Sequence, residues 1–207
     1  MEAGRTSEAL EISRDALTIV ARHTKPESFR YAAALRQRGA ALLAARRPMD
    51  AVPDLQASVE TLRRTLSPRH PVTRWFQVDW ALALALGGKR REAAALLTPL
   101  LPAPESSIDS NGSRALYVLG VIKRLDGDAG GALESLQQSL GSTPPARNAD
   151  LRRMRTLTEI GLASLDLGKR DVAIDALDRA LAISRQQQVP AAPDRADIEA
   201  ALRRARS

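Results

Sequence analysis

An all-α architecture of stacked helix pairs is predicted from three observations. Apolar residues make up 44% of the 207-residue chain but aromatic residues only 3%. The core must therefore be built from Leu, Ala, Val and Ile, a composition suited to closely packed helices rather than to a β-sandwich. The phrase GGKRREAAALL at residues 87–97 returns as LGKRDVAIDAL at 167–177. Both phrases belong to one register, because Ala9, Ala51, Ala93, Ala132 and Ala173 follow each other at intervals of 42, 42, 39 and 41 residues, a spacing typical of helical repeats.

Two further columns keep that register, and each has a physical reason. Five residues before the alanines stand Gly4, Arg46, Gly88, Gly127 and Gly168; glycine marks the point where one helix stops and the chain turns. Twelve residues before the last four alanines stand Gly39, Ala81, Gly120 and Gly161, and four after all five come Ser13, Leu55, Leu97, Leu136 and Leu177. Small residues let two antiparallel helices approach closely, and the leucines fill the space around that contact. Neither helix of a pair can bury its stripe alone, so pairs stack and share a core.

Taken in order, residues 5–22 read as the second helix of a pair with no first helix before it. Repeat one runs from 27 to 66, with Pro48 near the start of its second helix. Repeat two covers 71–101; Pro71 suits a first helical turn, and Pro99 should end or kink the second helix. The polar stretch PAPESSIDSNGS is the clearest loop. Repeat three spans 109–141, GSTPPARN separates it from repeat four at 149–188, and a capping helix occupies 194–205. Asp194 is placed to cap that helix, with Ile198, Ala201, Leu202 and Ala205 facing inward and Arg203, Arg204 and Arg206 facing water. The whole chain, 1–207, reads as one domain. Leu10, Leu17 and Val20 of the first helix would pack against an absent helix. We therefore expect the chain to be the carboxy-terminal part of a longer protein, or to self-associate through that helix.

The small–turn–small pattern resembles the tetratricopeptide repeat (TPR), and the period near 42 is similar to its long-repeat, kinesin-light-chain-like subtype. SPRHPV, from Ser67 to Val72, resembles the Gly-Pro-Asp-His-Pro linker of those repeats, with Ser67 in the glycine position and Arg69 in the acid position. The resemblance implies a right-handed α-solenoid of about four and a half repeats plus a C-terminal capping helix. It also implies a concave groove that holds a peptide or a partner's helix. Carried over from the small positions, that groove includes Arg36, Ala40 and Leu43; Trp75, Val78 and Leu82; Arg114, Tyr117, Val121 and Arg124; and Arg155, Thr158, Leu162 and Leu165. With four arginines and two aromatics on one face, the expected ligand is an acidic peptide with a large apolar side chain. Bacterial proteins with such repeats resemble signalling proteins, either serine/threonine kinases or transcriptional regulators that carry the array at the carboxy end. The alternatives are a free-standing adaptor or chaperone and a basic, nucleic-acid-binding helical repeat protein.

Other chemistries find little purchase. No cysteine is present, which removes disulfides, thiolate zinc sites and thiol nucleophiles. His23 and His70 are the only histidines and lack metal-ligand spacing; His70 is expected to cap the helix at Pro71. DGD at 126–128 lacks the other ligands of a calcium loop, and NGS at 111–113 is read as loop. No phosphate-binding glycine loop or nucleophile elbow occurs, so no enzyme activity, metal or cofactor is expected. The net charge of +7 is interspersed with acids and reads as a solvated basic surface. Specific nucleic-acid recognition is not expected, since aromatic stacking platforms are scarce. A charged amino terminus and the lack of a long apolar run point to a cytoplasmic protein without membrane contact.

Overall fold

A computed structural model of the chain describes residues 2–103, 107–142, 149–186 and 192–207, with side chains from residue 7 in the first helix and from residue 195 in the last. Among the described residues there are ten α-helices, a 3₁₀ turn at Thr98–Leu100 and no strand. The chain divides into two compact units, Met1–Leu100 and Leu101–Ser207. The first holds α1 (Glu2–His23), α2 (Phe29–Ala44), α3 (Pro48–Thr65), α4 (Pro71–Leu86) and α5 (Arg90–Leu97). The second holds α6 (Ser110–Leu125), α7 (Ala129–Gly141), α8 (Ala149–Asp166), α9 (Arg170–Gln186) and α10 (Ala192–Arg206).

Helices pack as the pairs α2/α3, α4/α5, α6/α7 and α8/α9. The aligned columns explain the pairing. A Cβ added to Gly39, Gly120 or Gly161 would stand 2.6, 2.5 or 2.5 Å from the Cγ of Leu55, Leu136 or Leu177. In the second pair Ala81 and Leu97 hold the same positions, and both are fully buried. Serines tie the pairs further. Ser58 Oγ donates to the Ala32 carbonyl at 2.7 Å, while Ser113 and Ser139 each donate to the other's carbonyl at 2.9 and 2.8 Å.

The four turns inside the pairs are one motif. The N–H groups of Arg47, Lys89, Asp128 and Lys169 reach back five residues to the carbonyls of Leu42, Leu84, Lys123 and Ser164 at 2.8–2.9 Å. The residue before each has positive φ: 58° at Arg46, 87° at Gly88, 87° at Gly127 and 72° at Gly168. This is a Schellman ending, which glycine adopts without a Cβ clash. Arg46 adopts it at a cost of about 1 kcal/mol. Ser67, in the glycine position of the linker before α4, is the other non-glycine with positive φ among the described residues, at 105°. Arg46→Gly is therefore expected to stabilise the protein by about 0.5–1 kcal/mol, read as a higher urea midpoint at unchanged slope. Gly88→Ala, at the same position of the next pair, is expected to lower the midpoint.

Helix starts follow the sequence in the main. His70 caps α4, its Nδ1 accepting from Val72 N–H at 3.2 Å, and Asp128 caps α7 by accepting from Gly131 N–H at 2.8 Å. Pro48 and Pro71 open α3 and α4, and α5 gives way to the 3₁₀ turn one residue before Pro99. Three expectations change. Gly4 lies inside α1 rather than at a turn. Asn111–Ser113 are the buried first turn of α6, not loop, because Asp109 caps that helix through Gly112 N–H at 2.6 Å. Asp194 falls within α10, which begins at Ala192; its side chain, like residues 143–148 of the GSTPPARN stretch, lies outside the described residues. Within α10, Ile198, Ala201, Leu202 and Ala205 are buried while Arg203, Arg204 and Arg206 are exposed.

Candidate functional site

Each unit carries part of the predicted groove on the first helices of its pairs. In the first unit the positions converge on an aromatic cluster. Arg36 of α2 donates from Nε to Asp79 Oδ2 of α4 at 2.7 Å. Its guanidinium carbon sits 4.4 Å from the centre of the Trp75 ring and 5.0 Å from that of Phe76. Trp75 meets Phe76 edge to face with ring centres 5.8 Å apart, and Phe29 approaches Phe76 at 6.5 Å. Phe76 is buried, but Trp75 and Phe29 are 39% and 49% exposed. The result is an apolar surface in which Arg36, fixed by its carboxylate, stacks on the rings. Of the other positions here, Leu43 packs partly into the core beside Leu42 and Leu55, Leu82 is half-buried, and Val78 is a core residue.

In the second unit the corresponding positions are charged. Arg124 of α6 donates from Nε to Glu159 Oε2 of α8 at 2.8 Å, and its Nη1 lies 3.8 Å from Asp166. Arg204 of α10 approaches Asp166 at 3.6 Å. Burial pushes the Glu159 carboxyl above the usual glutamate range, with Asp166 and Asp197 acting in the same direction and Arg124 against it. Tyr117 and Leu162 pack partly against the core of this unit. Thr158 donates its hydroxyl to the Met154 carbonyl at 2.8 Å. Arg114 is half-buried, Arg155 is exposed, and Val121 is a core residue.

The structure thus gathers Arg36 and Trp75, separates Val78 and Val121 from any surface, and pairs Arg36 with Asp79 and Arg124 with Glu159 within their own units. Phe29, absent from the sequence-based groove, belongs to the cluster. It lies in the first turn of α2, and only the packing of α2 beside α4 brings it to Phe76, so no periodic column announces it. Among the described residues no group of acids and histidines could hold a metal ion, and no helix is long and apolar enough to cross a membrane.

The paired helices, the shared turn motif and the close-packed columns have a counterpart among solved structures. A Podosopora anserina protein described as a kinesin light chain with nearly identical TPR-like repeats superposes with a TM-score of 0.58, covering 89% of this chain and 89% of its own at 23% identity. The fold is that of TPR-like repeats. A second structure of the same description superposes with a TM-score of 0.56 at 23% identity, covering 89% of this chain and 90% of the other. No family model matches the sequence, and no curated protein matches it. The TPR-like chain is therefore an all-α repeat protein of the solenoid class.

Proposed function

We propose that this TPR-like chain binds a peptide or a partner's helix on the face of its first helices, with Phe29 and Trp75 as the apolar anchor. The observation that carries the reading is the exposed pair Phe29 and Trp75, both against buried Phe76, with Trp75 beneath the Arg36 guanidinium that Asp79 fixes. Exposed aromatics on a fixed frame lose little entropy on binding and dominate interface energetics. The acidic ligand expected from the arginines takes second place. An acidic side chain would have to displace Asp79 from Arg36 or Glu159 from Arg124, so the apolar anchor contributes more than charge. The proposed activity is binding rather than catalysis, in the cytoplasm. Its proposed setting is the carboxy-terminal regulatory part of a bacterial signalling protein, a kinase or transcriptional regulator, supported by the repeat length alone.

The test uses the chain as bait and measures the affinity of the captured partner. Trp75→Ala and Phe29→Ala are each expected to weaken capture by about tenfold or more, while the helical circular-dichroism signal stays at the parent level. Affinity should fall only modestly between low and high salt. A steep salt dependence with unchanged capture by Trp75→Ala would reject the aromatic anchor and favour the charged face, or nucleic acid.

A further inference from the structure

The first helix carries two apolar faces, and only one is used. Leu17 and Ser13 are buried, and Leu10 packs against the core around Leu42 and Leu55, so the stripe predicted to lack a partner has one in the first pair. The unused stripe is Ala9, Ile12, Ala16 and Ile19, all exposed, with Ile12 at 61% and Ile19 at 59%. These residues recur at three- and four-residue steps and form a continuous row on one side of a helix.

The repeat register says what this row is for. Ala9 aligns with Ala51 and Ala173, Ile12 with Asp54 and Ala176, and Ala16 with Ser58 and Ala180; every one of these counterparts is buried. In α3 the row faces the helix before it, since Asp54 pairs with Arg38 of α2 and Ser58 bonds to the Ala32 carbonyl. The row in α1 is thus the surface on which a preceding helix would lie. Ile12 stands where α3, α7 and α9 have Asp54, Ser135 and Ala176, so α1 presents a bulkier apolar side chain at that position than those helices do.

We propose that the occupant is α1 of a second copy, lying antiparallel about a twofold axis at residue 14. This arrangement puts Ala9 opposite Ile19 of the second copy, and Ile12 opposite its Ala16. Each large side chain then meets a small one, as close antiparallel packing requires. The charges are complementary in the same register. Glu8, Asp15 and Arg22 line the exposed edge of the stripe, and antiparallel pairing sets Glu8 of each copy against Arg22 of the other. Asp15 meets its own symmetry mate near the axis, where Arg14, 3.6 Å away, offsets the repulsion. Parallel pairing would instead oppose isoleucine to isoleucine and leave Glu8 out of reach of Arg22 of the other copy.

The absence of cysteine makes the test direct on the full chain. Sedimentation equilibrium is expected to show a monomer–dimer equilibrium, and Ile12→Lys with Ile19→Lys is expected to hold the chain monomeric with its helical circular-dichroism signal unchanged and its melting temperature no longer dependent on concentration. Glu8→Arg alone should weaken association about tenfold, and adding Arg22→Glu should restore it. A short bis-maleimide should cross-link Asp15→Cys to itself. It should join Glu8→Cys to Arg22→Cys only when the two variants are mixed. A monomer at several hundred micromolar overturns the proposal, as does self-cross-linking of Glu8→Cys equal to that of Asp15→Cys or a dimer that survives both lysines.

Discussion

Gly120→Leu is expected to be the most damaging single substitution in the second unit. The added Cβ alone would stand 2.5 Å from Leu136 Cγ, 2.8 Å from its Cδ2 and 3.3 Å from the Ala132 carbonyl. Leu136 is fully buried, and the atom struck is the branch point of its side chain, so rotation of a flexible end cannot relieve the clash. Either α6 and α7 move apart or Leu136 leaves its rotamer. Overpacking of this kind costs about 1–3 kcal/mol and sometimes more, whereas the gain in helix propensity from removing a helical glycine is only about 1 kcal/mol. Packing wins even for Gly120→Ala, which should destabilise modestly, and Gly120→Leu should lower the melting temperature by several degrees. Gly130→Ala is the control, because a Cβ there meets only Asp128 Oδ1 at 3.9 Å. It should leave stability unchanged or raise it slightly. Equal melting of Gly120→Leu and Gly130→Ala would disprove the close-packed register.

The parts of this fold that were legible in the sequence are those that repeat. A Schellman ending needs one residue at positive φ, and a close helix crossing needs one position without a Cβ. The turn recurs in every pair and the glycine crossing in three of the four, with Ala81 in the second, so Gly88, Gly127 and Gly168, and again Gly39, Gly120 and Gly161, stand out as columns. The register is strong enough to place Arg46 at the turn although it is not glycine, and Ser67 in the linker likewise. The turn column does not hold at Gly4, which lies inside α1. The ion pairs left no trace of this kind. Arg36 lies three residues before its helix's small position and Arg124 four after, yet each finds an acid two residues before the small position of the next first helix, Asp79 or Glu159. Gln37 and Val118 stand at that place in the other two repeats, so no column forms. Val78 and Val121 were misread for a related reason. Periodicity shows that a helix has an apolar side but cannot distinguish contact with the next first helix from exposure on the groove.

Arg124→Ala is expected to destabilise the second unit, and to do so least in acid. Arg124 and Glu159 are 2.8 Å apart with side chains 19% and 16% exposed, so solvent offers little compensation when one is removed. Breaking a buried pair typically costs 3–5 kcal/mol; with this residual exposure about 2–4 kcal/mol is expected. Burial already pushes the Glu159 carboxyl upward, and Arg124 opposes it. Without the guanidinium, burial and the carboxylates of Asp166 and Asp197 act unopposed, so folded Glu159 keeps its proton to higher pH than an unfolded glutamate, near 4.3. Between that value and the raised one the folded state binds more protons than the unfolded state, so stability falls as pH rises through the window. The melting difference between parent and Arg124→Ala should therefore be largest at neutral pH and shrink on acidification. Arg124→Glu should be worse than Arg124→Ala at neutral pH, because it adds another carboxylate to the same cluster. Replacing Glu159 as well, in Arg124→Ala with Glu159→Gln, should recover more than half of the loss and flatten the pH dependence. A melting difference that stays constant from acid to neutral pH would show that Arg124 stabilises by packing of its stem, and that its charge on Glu159 contributes nothing measurable.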